Sequence, residues 1–457
     1  MTAAPIQTAT VPPPPKVEIT TPRWLAGSVV LVWLLGLAFV ITSVVAVREH
    51  RKALDLIANQ SAKSVIAAER MASALADMDA NAANGLLSPQ QKQLAIEGYN
   101  KSRGMMTDAL VDAARNITFS GEETEVKALA TASGVYGARV EAAFTMQNFG
   151  GSAAVVQYLK AAELMDASLL PAARKLDDLN RSELDGSYGS IVKISLIQRV
   201  LVWLIGLAML VALFRLQFFL SERMHRTFNP LCVIATVLTA GLLLYTNNAL
   251  STASHQIEVV KSDAFESVHL LWKAKATAFE ANAQESRFLL DKPGALSHQA
   301  YFDGVSKAIS NDPAKLLGMV NTFQKLRPTG DMKGFLADEL RNITFAGERD
   351  WAIKAVEWWL KYVQIDARIR ALERSGQHDQ AVQLCLGEEA NQSNWAFDGF
   401  IKALDQSLDL NQKEFDHAAQ RGFDALSRFE MIAPVMGLVA ALACLFGVLP
   451  RIREYSV

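Results

Sequence analysis

The chain predicts an all-α, polytopic membrane protein, with four transmembrane helices and two tandem extracytoplasmic helical bundles that arise from an internal duplication. Three observations carry this. Four apolar stretches are long enough to cross a bilayer, which takes about 20 predominantly apolar residues. The two long segments between them are rich in Ala, Leu, Glu, Lys, Gln and Met, with few β-branched runs, as helices require. The octapeptide Arg115-Asn116-Ile117-Thr118-Phe119-Ser120-Gly121-Glu122 also returns as Arg341-Asn342-Ile343-Thr344-Phe345-Ala346-Gly347-Glu348.

Further matches fall in the same order in both halves, which is the signature of internal repetition. Asp79-Ala80-Asn81-Ala82 answers Glu280-Ala281-Asn282-Ala283, and Ala154 to Leu159 answers Ala381 to Leu386. Leu179-Asn180 answers Leu410-Asn411. Asn81 and Asn116 are 35 residues apart, whereas Asn282 and Asn342 are 60 apart. The extra length is expected around Asp291 to Gly330, where Pro293-Gly294, Asp312-Pro313 and Pro328-Thr329-Gly330 punctuate the chain.

In chain order, residues 1–23 form a tail containing Pro12-Pro13-Pro14-Pro15, and 24–47 form the first span. That span exceeds the apolar core of a signal peptide, about 7 to 15 residues, so it is expected to stay as an anchor. Residues 48–199 make the first bundle, 200–220 the second span, 221–230 a short link and 231–250 the third span. Residues 251–430 make the second bundle, 431–449 the fourth span and 450–457 a tail. Helix breaks are expected at Gly85 to Pro89, Gly121, Gly150-Gly151, Gly347 and Ser375-Gly376. Within the bundles, Val126, Leu129, Ala130, Tyr136 and Val140, and likewise Trp351, Val356, Trp359 and Val363, recur at helical spacing and predict buried stripes.

An even number of spans puts both termini on one side. Lys16, Arg23, Arg223, Arg226, Arg451 and Arg453 make the short segments basic, which places them in the cytoplasm of a bacterial cell. Each bundle, with its end helices running into spans and short connections between helices, resembles the four-helix-bundle sensor domains of bacterial chemoreceptors and sensor kinases.

No H-E-x-x-H, paired cysteine, Walker or Gly-x-Ser-x-Gly pattern is present, so no catalytic, metal or cofactor site is expected and the protein reads as a non-enzyme. The seven histidines are scattered in sequence, and net charge of −2 excludes a dominant nucleic-acid reading. No span carries Asp, Glu or Lys near its centre, which weighs against ion-coupled transport. Of three cysteines only Cys385 falls in a bundle, so neither bundle is expected to hold a disulfide.

The repeated octapeptide has two readings. In one it is an inter-helix corner: Gly121 or Gly347 breaks the chain, and Glu122 or Glu348 sits in the next first turn, where the helix dipole favours a carboxylate. In the other, Arg115, Asn116, Arg341 and Asn342 form a partner or ligand surface. Arg139 and Arg368 are further candidates for pairing with a carboxylate ligand, and Arg223 and Arg226 are candidate cytoplasmic contacts.

The four spans, two large helical segments, short cytoplasmic segments and Ala-rich composition together resemble the GlnX-type family of actinobacterial four-pass membrane signalling proteins. That resemblance implies an extracytoplasmic solute-binding lipoprotein of the glutamine-binding type and a cytoplasmic Ser/Thr protein kinase as partners. It implies amino-acid sensing, relayed through the spans. The cytoplasmic segments are too short for a kinase or cyclase, since even marginal domains need about 40 to 60 residues, so a signal is expected to leave through another protein. An accessory or permease subunit of a transporter and a membrane scaffold are the alternatives.

Overall fold

The computed structural model describes residues 21–117, 119–148, 151–224, 229–322 and 332–454. Among these, all regular structure is helical. Helix α1 (Thr21–Asp55) passes through a π-helical turn, Leu56–Ser61, into α2 (Ala62–Leu87). Helices α3 (Lys92–Arg115), α4 (Glu122–Met146) and α5 (Gly151–Leu164) follow, and a second π-turn, Met165–Leu169, leads into α6 (Leu170–Met224). The second half begins in the same way. Helix α7 (Pro230–Glu258), a third π-turn at Val259–Phe265 and α8 (Glu266–Leu290) form its first rod. Then come α9 (Ala295–Ile309), α10 (Pro313–Thr322), α11 (Phe335–Asn342), α12 (Glu348–Arg374), α13 (His378–Leu386), α14 (Ser393–Leu426) and α15 (Phe429–Arg453).

The helix ends fall where the chain loses helix formers. Gly121 (φ +98°) and Gly347 (φ +87°) occupy the left-handed region immediately before α4 and α12, a conformation that costs a side-chain-bearing residue energy. Helix α12 stops at Arg374, and Gly376 turns the chain at φ +79°.

Four continuous helical rods, Thr21–Leu87, Gly151–Glu222, Pro230–Leu290 and Ser393–Arg453, are long and apolar enough to cross a membrane. Their apolar portions form one compact unit, made of the described parts of Met1–Arg48, Ser195–Leu250 and Leu426–Val457. Leu34, Leu37, Leu196, Leu204, Phe214, Phe218 and Val435 turn outward from it, as lipid-facing side chains do. Inside, small residues bring the helices together: a Cβ on Gly206 would lie 2.8 Å from Leu243 Cδ1 and 3.1 Å from Phe39 Cε2. Polar groups cross between spans as well. Trp33 Nε1 donates to the Ala441 carbonyl at 3.1 Å, Gln217 Nε2 to the Cys232 carbonyl at 3.0 Å, and Asn229 Nδ2 to the Gly447 carbonyl at 2.6 Å. Without water, such donors need a protein acceptor.

The second unit comprises both Glu49–Ile194 and Ser251–Ala425. The two large segments, expected as separate tandem bundles, therefore build one compact body. The cause lies in α2 and α8, which pack on each other and are buried along most of their length rather than on one stripe. One apolar cluster surrounds Trp359, Tyr362 and Phe400 and takes in Leu54, Ile57 and Val65 from the first segment. The other surrounds Tyr99, Tyr136 and Tyr158. Of the predicted stripes, Val126, Leu129, Tyr136, Val140, Val356 and Trp359 are buried. Ala130 faces solvent, and Trp351 and Val363 are half-buried.

Helix α3 alone, Lys92–Arg115, lies between α2 and α4, whereas α9, α10 and α11 lie between α8 and α12. Asn311 and Lys333 close the base of the inserted stretch, Asn311 N donating to the Lys333 carbonyl at 3.1 Å and Lys333 N to Asn311 Oδ1 at 2.9 Å.

Candidate functional site

The two repeated corners make the same bonds. Asn116 Nδ2 donates to the Gln60 carbonyl at 3.2 Å and to Ser64 Oγ at 2.5 Å, and Asn342 Nδ2 donates to the Asp263 carbonyl at 2.8 Å and to Ser267 Oγ at 2.9 Å. Gln60 and Asp263 lie in the first and third π-turns. Glu122 Oε2 accepts from Phe119 N at 2.7 Å, and Glu348 Oε2 accepts from Thr344 N at 2.9 Å and Phe345 N at 3.1 Å. Each corner thus ties the end of one helix, the start of the next and the π-turn of the rod behind them.

The arginines of the motif diverge. Arg115 is exposed, while Arg341 is half-buried and bonded to Asp338 and to the Met332 carbonyl. Arg139 donates to the Lys160 carbonyl at 2.6 Å, and Arg368 is exposed. Arg226 lies outside the described residues. Arg223 falls in the last turn of α6.

Between the corners the core carries charge. Arg287 of α8 is 1% exposed, and its guanidinium donates to Asp79, to Asp166 Oδ2 at 2.6 Å and to Tyr158 Oη at 3.1 Å. Asp79 Oδ1 also accepts from the hydroxyls of Tyr136 and Tyr158, each at 3.1 Å. All of these partners come from the first segment, so a single second-segment cation is shared by three first-segment groups. Two residues along α8, Glu285 accepts from Ser393 Oγ at 2.9 Å and Tyr362 Oη at 3.4 Å. Burial, reinforced by the charge of Asp366, pushes its carboxyl up to about 8.

A cavity of about 560 Å³ opens beside the first corner, within the size range of small-molecule pockets. Asn116, Lys63, Arg70 and Asp112 line it from the first segment, and Trp272, Asp409 and Phe415 from the second. The Arg70 guanidinium sits 5.7 Å from the centre of the Trp272 ring, a cation–π distance. Cations, carboxylates and apolar side chains thus line one space.

A second group lay beyond the reach of sequence spacing. Glu69, Asp177 and His269 come from α2, α6 and α8 and gather inside the unit. Their separation along the chain hides them, because metal and polar clusters in helical bundles are built across facing helices rather than within one motif.

Residues 53–189 match the family model described as the actinobacterial sensor domain. No curated protein and no solved structure matches the chain. The matched stretch begins near the first π-turn, holds the first corner and supplies Lys63, Arg70, Asp112 and Asn116 to the cavity. It suggests signal sensing.

Proposed function

We propose that this chain is a non-enzymatic transmembrane signal transducer of a bacterial cytoplasmic membrane, with both termini in the cytoplasm. Its helical unit senses a small zwitterionic solute of amino-acid size. The observation that carries this reading is the sensor-domain match, whose residues supply both cations and a carboxylate to the cavity of about 560 Å³. Arg70 and Lys63 suit a carboxylate group, Asp112 an ammonium group, and Leu408 and Phe415 an apolar side chain.

The second half is proposed to be a second copy of the same sensor domain. Its support is the pair of identical corners, in which Asn116 and Asn342 each reach a π-turn carbonyl and a serine. The solute reaches the unit free or carried by a solute-binding lipoprotein. A cytoplasmic Ser/Thr protein kinase, contacted through the 221–230 link, receives the signal, as the GlnX-type resemblance implies. Continuous rods such as Gly151–Glu222 offer the path, since a rigid helix transmits a shift along its axis.

Thermal unfolding of the full chain in detergent, with and without each proteinogenic amino acid, tests the sensing step. At least one is expected to raise the melting temperature, and Arg70→Ala or Asp112→Ala to remove that rise. If no amino acid stabilises the protein while a lipoprotein co-purifies with it, direct sensing is wrong.

A further inference from the structure

Glu69, Asp177 and His269 each bring one ligand-type atom into a space where all three lie within 4.8 Å of one another. His269 Nδ1 is 3.8 Å from Asp177 Oδ1 and in close contact with Glu69 Oε1. Glu69 is 3% exposed, yet neither of its carboxylate oxygens takes part in a hydrogen bond. Asp177 Oδ1 and His269 Nδ1 are likewise buried without one. Buried polar atoms are normally satisfied, so the unbonded Glu69, Asp177 and His269 atoms gathered here have room for a further partner.

We propose that Glu69, Asp177 and His269 bind a divalent first-row transition-metal ion. Two carboxylate oxygens and one imidazole nitrogen form the donor set of zinc, manganese, iron or cobalt sites. The imidazole disfavours calcium and magnesium, which take oxygen ligands. The three ligands stand on three different helices, so the ion would join both segments of the unit. Lys273 Nζ lies 3.2 Å from Asp177 Oδ2, which fixes that carboxylate and leaves Oδ1 turned to the cluster, the usual work of an outer-shell group.

A cavity of about 260 Å³, bordered by Glu69 and Asp177 among others, lies beside the cluster. The competing arrangement is a protonated Glu69 sharing its proton with His269, which needs no ion.

The test uses the full chain in detergent, stripped with a chelator, dialysed and titrated with Co²⁺. About one Co²⁺ per chain is expected, with visible d–d absorption that Zn²⁺ displaces. Glu69→Gln, which preserves size and shape, and His269→Ala are each expected to weaken Co²⁺ binding at least tenfold, with circular dichroism confirming the fold. Should His269→Ala fail to fold, Glu69→Gln alone carries the comparison. Folded wild-type protein that takes up no stoichiometric Co²⁺, or Glu69→Gln protein that binds it as tightly, overturns the assignment and leaves the shared proton as the explanation.

Discussion

Arg287 shows how much of this molecule is decided by single side chains. Its charge is fully buried and satisfied by Asp79, Asp166 and Tyr158. Removing one partner of such a network strands the rest, at a cost of about 3–5 kcal/mol. Arg287→Ala is therefore expected to lower stability by that order, measured by chemical denaturation of the detergent-solubilised chain. Glu285 gives a prediction in pH. Its folded carboxyl titrates at about 8, above its ordinary value of 4.5, so the folded state holds a proton that the unfolded chain has released between those values. The stability it contributes is complete below about pH 4.5 and lost as pH rises through 8. Glu285→Gln should flatten the fall in melting temperature over that window, and an unchanged profile would remove Glu285 as its source. Neither residue was legible in the sequence. Burial of α8 on nearly all sides follows from its packing with α2 and not from any apolar stripe of its own.

At the scale of elements, the corner was partly legible. Gly121 with Glu122, and Gly347 with Glu348, were readable as a break followed by an acidic first turn, and both carboxylates cap backbone N–H groups. The partner of Asn116 and Asn342 was not readable, since a π-turn leaves no compositional mark. Asn116→Ala and Asn342→Ala should each cost about 1–3 kcal/mol by removing the side chain's bonds to a carbonyl and a serine of the neighbouring rod, read by thermal unfolding. The helix breaks were legible because Gly and Pro mark them. The three helices between α8 and α12 were not, because the Asn311 and Lys333 bonds beside them join residues distant in the chain. Among the spans, Gly206 has no room for a side chain beside Leu243 and Phe39. Gly206→Leu is expected to destabilise span packing by about 1–3 kcal/mol, seen as a lower detergent-melting temperature.

For the whole molecule, the four spans and the helical class were plain from apolar length and helix-forming composition. The union of both large segments in one body was hidden, because the faces of α2 and α8 that meet are Ala-rich and polar. Orientation can be tested with single cysteines. Cys232, Cys385 and Cys444 are buried, so a new surface thiol gives a clean signal. A cysteine at Ser88 or Ser297 is expected to react with an impermeant reagent in intact cells and one at Ser221 to stay unlabelled, and the reverse pattern would invert the topology. The central claim is that solute bound in the helical unit changes how the spans pack. Trp33 and Ala441 touch across two spans, Nε1 to carbonyl oxygen at 3.1 Å, and cysteines there can report on that contact. With native cysteines replaced, the rate of Trp33→Cys to Ala441→Cys disulfide formation in cells should change when a stabilising amino acid is added, and Arg70→Ala should abolish the change. A rate that stays constant while the solute demonstrably binds would contradict the account.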